Sequence, residues 1–441
     1  MNATESVIWL MKLRKIKLTD FRCFKEYEIG LKSGVNLLIG ENGSGKTSVI
    51  RGVTLALNAF FKGFSDENTS CAGIASEDFC HSVANESKSL TRPAEVLFST
   101  ISGDENISIF RKSKKTSTIY QNAREFNWKN KDLYSKVAEE AGDHRQTPLP
   151  LFAFFATDDI HLKYQNVEAK SFKDYYLAPS FGYYLCLRGG FLAKYWVNRM
   201  LVLEEGGKGE EELEIVRNAI RTALGNDGCG IINDVTIRPK QGYVYFIFTD
   251  GREVRFEDLS DGYMRLVNMV IDLAFRCSIL NRPLFGLQAC SRTEGVACVD
   301  EIDDHLHPSL QAKVIKGLKL AFPRVQFVIS THAPMVMSSV MTNEENEVLH
   351  LGYRDGTYIA MPINTYGLDA STILEMYMGK NARVAEVEER LKELFDLIDN
   401  DDYPEAKTKL RELTNDFGDT LPEIIQARTM LDFRMESDDK D

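Results

Sequence analysis

The octet Gly40-Glu41-Asn42-Gly43-Ser44-Gly45-Lys46-Thr47 fits the spacing G-x-x-x-x-G-K-[ST]. Glycines at those places let successive backbone N–H groups turn toward one centre, an arrangement that suits phosphate oxygens. Lys46 is spaced to reach the β and γ phosphates, and the Thr47 hydroxyl to ligate Mg²⁺. Ser48 opens a helical pattern whose N-terminus adds a positive partial charge. The implied ligand is ATP with Mg²⁺, held through Asn42, Gly43, Ser44, Gly45, Lys46, Thr47 and Ser48.

Downstream, the apolar run Val296-Ala297-Cys298-Val299 ends in Asp300 and Glu301. At the end of a buried strand, the first carboxylate suits the magnesium shell and the second suits a base that polarises the attacking water. A second apolar run, Phe327–Ile329, is followed by Ser330-Thr331-His332. A lone histidine is more often a satisfied core residue. In this order, His332 suits a group that senses the γ-phosphate.

These residues need strands and helices to hold them. Residues 12–18 alternate as a strand, and Val35–Ile39 form an apolar run that stops at Gly40. The run VIRGVTLALNAFF after Thr47 has helical spacing, so strand, glycine loop and helix follow in order. Residues 62–92 read as a loop or insertion, and AEVLFSTISGDENISIFRKSKK as two or three antiparallel strands turning at Ser102-Gly103-Asp104. Leu149–Phe155 reads as a buried strand, residues 210–224 as a helix, and YVYFIFTDGREVRF as a hairpin around Asp250-Gly251. The expected order continues as the helix LSDGYMRLVNMVIDLAF, the strand GVACVDE, a helix from Pro308, the strand FPRVQFVIST, and helices after 369. Strands alternating with helices around glycine turns indicate an α/β sheet, partly parallel.

Leu259-Ser260-Asp261-Gly262, at the start of its helix, resembles the signature loop of ABC-type ATPases such as the SMC, Rad50 and RecF proteins. The resemblance implies that Ser260, Asp261 and Gly262 face the γ-phosphate held by a second subunit, so that nucleotide joins two heads. A helix N-terminus attracts anions, which fits that role, and an ordinary N-cap is the alternative. Many members of the family have glycine where Asp261 stands. Ile302-Asp303-Asp304-His305-Leu306-His307-Pro308 resembles the D-loop, with Asp303 and Asp304 at the contact between heads. Its histidines and aspartates are also compatible with a metal site, although Pro308 suits the first turn of a helix. The Q-loop role falls near Ala156-Thr157-Asp158, where no glutamine stands, with Gln146 ahead of the strand.

The chain has 441 residues, which implies two to four folding units. Its 53 Lys+Arg against 65 Asp+Glu give −12, so any contact with nucleic acid needs a local basic patch. Lys12, Arg14, Lys15 and Lys17 form one candidate, and Arg111, Lys112, Lys114 and Lys115 another, with a solvated face as the alternative for both. No apolar run is long enough to span a bilayer, and the eight cysteines lack metal-site spacing, which fits the cytoplasm. The adjacent Cys80-His81 reads as incidental.

No sustained heptad pattern lies between Lys46 and Ser260, so the long coiled coil of SMC or Rad50 is not expected. The motifs together resemble the compact ATPases of bacterial defence operons. The resemblance implies an ABC-ATPase head with a mixed β-sheet, an antiparallel β subdomain, a helical lid and a C-terminal helical tail. Expected boundaries are 1–60 for the strands, P-loop and first helix, 61–150 for the insertion and antiparallel subdomain, and 151–250 for lid and hairpin. The second half of the head falls at 251–365 and the tail at 366–441. Aromatic residues of 170–200 suit either the core of a lid or a stacking platform for bases.

In the tail, Val384, Val387, Leu391, Leu394 and Ile398 recur at helical spacing as one apolar seam. This helical tail resembles that of PtuA, the ATPase subunit of Septu anti-phage systems, including those linked to retrons. The resemblance implies a homodimer or larger homo-oligomer, a separate HNH nuclease partner of the PtuB kind, and, in a retron version, a reverse transcriptase with msDNA. A structural cap or homo-oligomer seam is the alternative for the tail. Two other readings stand beside this one. An OLD-type nuclease would use Asp396, Asp399, Asp401 and Asp402 for metal-dependent cleavage, but the stretch after His332 reads as lacking the alternating strands such a domain needs. A RecF-like DNA-binding ATPase would act without a nuclease partner.

Overall fold

The computed structural model describes residues 12–63, 71–80, 93–101, 106–121, 147–157, 177–189, 192–207, 209–379 and 383–438. The turn at 102–104, Gln146, Asp158 and His81 lie outside the described residues. Two compact units emerge, Met1–Ala370 and Ser371–Asp441.

In the first unit, β1 (Leu13–Phe21) buries Leu13, Ile16, Leu18 and Phe21. It pairs antiparallel with β2 (Phe24–Gly30), Ile16 opposite Ile29 and Leu18 opposite Tyr27. On its other side lies β4 (Ala94–Thr100), followed by β5 (Ile107–Arg111) and β6 (Ile119–Gln121). These five strands form an antiparallel sheet in the order β2-β1-β4-β5-β6.

The central sheet runs β14-β13-β3-β12-β11-β7. Its inner strands β3 (Val35–Ile39), β11 (Gly295–Val299) and β12 (Val325–Ser330) are buried at every residue, as expected for a sheet covered on both faces. With β7 (Leu151–Phe155) and β13 (Glu347–Arg354) they run parallel, and β14 (Thr357–Ile363) returns antiparallel at the edge. Gln326, on β12, ties the two sheets together. Its amide accepts from Leu13 N–H at 2.8 Å and donates to the Leu13 and Lys32 carbonyls at 2.8 and 2.7 Å. A third sheet, β10-β9-β8, is antiparallel and contains the expected hairpin, β9 (Tyr243–Phe248) and β10 (Glu253–Arg255), beside β8 (Ile232–Arg238).

The hairpin β13–β14 corrects the expectation that strands are lacking after His332. It completes the central sheet rather than starting another domain. The helix expected from Pro308 is broken into Pro308–Gln311 and Val314–Ala321.

Helix α1 (Lys46–Asn58) follows the glycine loop, and α2 (Ala193–Gly206), α3 (Glu210–Leu224) and α4 (Asp261–Phe285) form the helical part. Among the described aromatic residues of 170–200, Tyr183 and Trp196 are core residues. Tyr183 packs against Phe61 and Phe60 at 5.2 and 5.8 Å, and Trp196 stacks on Phe275 at 4.9 Å while donating to Asp272 Oδ1 at 2.7 Å. Both are fully buried, so neither offers a base-stacking platform.

The second unit contains α5 (Ala385–Asp399), α6 (Tyr403–Phe417) and α7 (Pro422–Asp438). The seam residues Leu391, Leu394 and Ile398 pack against Leu410, Leu413, Ile424 and Leu431, with Val387 beside them. Val384, expected on that seam, caps α5 from outside and is 71% exposed. The seam is therefore occupied within the unit.

Candidate nucleotide site

The glycine loop joins β3 to α1 at the carboxyl end of the central sheet, where parallel strands leave a crevice for ligands. Gly40 and Gly45 have φ of 142° and 97°, outside the range of ordinary side chains. A Cβ at Gly40 would lie 2.2 Å from the Leu351 carbonyl oxygen, and one at Gly45 would lie 2.5 Å from the Phe24 ring. A Cβ at Gly43 would meet nothing within 4 Å, so the loop is packed behind and open in front. That shape fits a phosphate held by backbone N–H groups.

Lys46 is 6% exposed and folds back along the loop, donating to the Gly40 and Glu41 carbonyls at 2.8 and 2.9 Å. Burial pulls its ammonium below the usual lysine range, while Glu301, Asp300 and Asp303 oppose that pull. Thr47 and Asn42 are exposed, and Ser48 faces Cys23, whose Sγ lies 3.6 Å from its Oγ.

β11 and β12 deliver the acidic half. Asp300 follows β11 directly and is buried, with Oδ1 accepting from Ser330 Oγ at 2.5 Å. The same hydroxyl accepts from Glu301 N–H at 2.7 Å. Glu301 has φ of 51°, rare outside glycine, which turns the chain sharply after the strand. Burial raises its carboxyl above the usual glutamate range, helped by the charges of Asp300, Asp303 and Asp304 and opposed by Lys46. His332 is lowered by burial and by Lys46, against the pull of Asp303 and Asp300. Lys46, Asp300, Glu301, Asp303 and His332 thus share one electrostatic environment.

Asp303 supports the histidine turn as well. Its Oδ1 accepts from Thr331 Oγ1 at 2.6 Å and from His332 N–H at 3.3 Å. Asp304 Oδ2 accepts from Arg265 Nη1 at 3.1 Å, and Arg265 Nη2 donates to the Asp300 carbonyl at 2.7 Å. Arg265 is fully buried on α4 and couples that helix to the acid pair, a role its place in an apolar helix pattern does not announce.

Ser260 is the N-cap residue of α4 and makes no side-chain capping bond, and Ser260 and Asp261 are both exposed. Gly262 is buried, and a Cβ there would lie 2.3 Å from the His305 carbonyl. His305 itself has φ of 60°. Among the described residues no cluster of three metal-ligating side chains forms, and His307 instead accepts from Ser309 N–H at 3.3 Å at the start of its helix.

Several of the other candidates are engaged elsewhere, while Lys112, Lys114 and Lys115 are exposed. Lys15 and Lys17 pair with Glu28 and Glu26 at 2.6 and 2.5 Å across β1–β2, and Lys12 is buried. Arg111 is folded onto the carbonyls of Ile74, Lys114 and Thr116. In the tail, Asp399 and Asp401 pair with Arg434, and Asp402 caps α6 through Glu405 N–H. None of the eight cysteines forms a disulfide, and no described helix is long and apolar enough to cross a membrane.

A family model described as an AAA domain matches residues 15–225. The retron Vc95 probable ATPase of Vibrio cholerae serotype O1 biovar El Tor is 29% identical over 40% of this chain and 33% of its own length. The Septu protein PtuA of Bacillus thuringiensis is 23% identical over 83% of both chains. An SMC head bound to the C-winged helix domain of ScpA aligns with a TM-score of 0.45 at 16% identity, covering 80% of this chain and 98% of its own. The chain spans about a third of the length of the first curated relatives it matches. Residues 15–225 are thus similar to the AAA domain family, and the chain is similar to the Septu protein PtuA and to retron probable ATPases.

Proposed function

We propose that the chain binds and slowly hydrolyses ATP, closes on a second copy around the nucleotide, and thereby regulates a separate HNH nuclease in a cytoplasmic anti-phage complex. The observation that carries the hydrolytic part is that Ser330 holds Asp300 and the backbone of Glu301 while Asp303 holds the His332 turn, all at the end of the strands beside the glycine-loop strand. The names of the Septu and retron relatives support the defence setting.

In this reading the backbone of 43–48 and Lys46 bind the phosphates. Thr47 and Asp300 would hold Mg²⁺, which neutralises charge on the phosphate oxygens. Glu301 takes a proton from the water that attacks the γ-phosphorus. The bond from that phosphorus to the bridging oxygen breaks, and ADP departs with the electron pair. A raised pKa suits a base that must accept and then release that proton. His332, kept neutral by burial and Lys46, is suited to hydrogen-bond the γ-phosphate.

Ser260 and Asp261 stand exposed on a helix N-terminus with no capping bond to spend the serine hydroxyl. That supports their action on the γ-phosphate of a second copy. Glu301→Gln is the test. It should bind Mg²⁺ and ATP, lose hydrolysis by at least a hundredfold, and accumulate as an ATP-dependent dimer or larger species by light scattering. Hydrolysis at the original rate would remove Glu301 from the role of base.

A further inference from the structure

An aromatic column runs from the glycine loop to the surface, through residues for which the phosphate site has no use. Phe24 occupies the space a side chain at Gly45 would need, and its ring stacks on Tyr27 at 4.3 Å. Tyr358 meets Phe24 edge-on at 5.0 Å, and Tyr353 packs on Tyr358 at 4.8 Å. Cys23, next to Phe24 in the chain, places its thiol beside Ser48. The column ends at Tyr353, which is 65% exposed.

Sheet order says which end of a nucleotide lies there. β3, which carries the glycine loop, stands between β12 and β13. Asp300, Glu301 and His332 arrive from β11 and β12 on one side. The triphosphate's γ end belongs on that side, so its nucleoside end belongs on the other. There β13 runs parallel to β3 with Val348 beside Leu37 and His350 beside Ile39, and the chain continues through Leu351, against Gly40, to Tyr353. A single exposed tyrosine on a hairpin is ordinary. One fixed by a chain of edge-on and tilted ring contacts rooted beside the glycine loop, on the nucleoside side of it, is a prepared surface.

We propose that Tyr353, backed by Tyr358 and Phe24, is the surface on which the base of the bound nucleoside triphosphate stacks. This rests on the reading of the glycine loop as a phosphate site, and it adds a determinant of affinity that belongs to the base alone. Base–aromatic stacking accounts for about tenfold in affinity at a half-exposed site.

The test compares two ligands on the full chain by titration calorimetry with Mg²⁺, ATP and inorganic tripolyphosphate. Tyr353→Ala should weaken ATP about tenfold and leave tripolyphosphate unchanged, while Tyr353→Trp should keep ATP within about twofold. Unchanged ATP affinity in Tyr353→Ala overturns the proposal, and so does an equal loss for both ligands, which would mean the hairpin merely shapes the loop. Lys46→Ala tests the underlying phosphate site separately, because it should weaken both ligands whatever Tyr353 does.

Discussion

The Ser330 hydroxyl donates to Asp300 Oδ1 at 2.5 Å while accepting from Glu301 N–H at 2.7 Å. One side chain from β12 therefore fixes both the carboxylate expected to face Mg²⁺ and the backbone of the expected base. A hydrogen bond to a charged group is worth about 1.5–3 kcal/mol. Ser330→Ala should lower kcat about tenfold or more and raise the Mg²⁺ concentration giving half-maximal rate. A variant with wild-type kcat and wild-type Mg²⁺ dependence would show that this bond does not position the acids.

The packing of Gly262 on the His305 carbonyl, where a Cβ would approach to 2.3 Å, joins the start of α4 to the loop after Glu301, the segments proposed as signature and D-loop. Gly262→Ala should push these segments apart and lower ATP hydrolysis at least tenfold. Ser260→Arg, at an exposed position, should leave ATP binding by the single chain intact and abolish nucleotide-dependent association. If Ser260→Arg still assembles with ATP, the signature loop is not at the interface.

Much of this site is legible in the sequence because its parts are local. A glycine loop between β3 and α1, an acid pair ending β11, and Ser330-Thr331-His332 ending β12 each announce themselves within a few residues. The pair β13–β14 is missed although its turn is signalled. Asp355-Gly356, with φ of 52° and 80°, is a two-residue hairpin loop between the paired Arg354 and Thr357. Pro362 and the mixed exposure of the edge strand β14 blur the alternation that would have revealed it. Arg265 is hidden for a different reason. Its partners, Asp304 and the Asp300 carbonyl, come from another strand and loop, and tertiary pairing leaves no periodic trace.

Glu301 also implies a pH dependence. A base must be ionised, and this carboxyl is raised above 4.5 by burial and by Asp300, Asp303 and Asp304. Hydrolysis should therefore fall as pH drops, starting at higher pH than an ordinary glutamate would give. Asp304→Asn removes one of the charges pushing upward, so its acid limb should move to lower pH. A limb that stays in place would assign the titration to another group.

The tail makes an independent prediction about stability. Leu394 and Leu413 are fully buried within the three-helix cluster. Leu394→Ala should destabilise that unit by about 3 kcal/mol, seen as an earlier, separate transition in calorimetry. ATP binding by the first unit should persist. Simultaneous loss of ATP binding would mean that the two units do not fold independently.

The central claim is that the glycine loop holds a nucleoside triphosphate through Lys46. Titration calorimetry of the folded chain with ATP and Mg²⁺, beside Lys46→Ala, tests it most directly. Saturable binding to the natural chain, weakened at least a hundredfold by Lys46→Ala in a protein with unchanged circular dichroism, is the predicted result. Absence of binding to the natural chain, or equal affinity in the variant, would contradict the account.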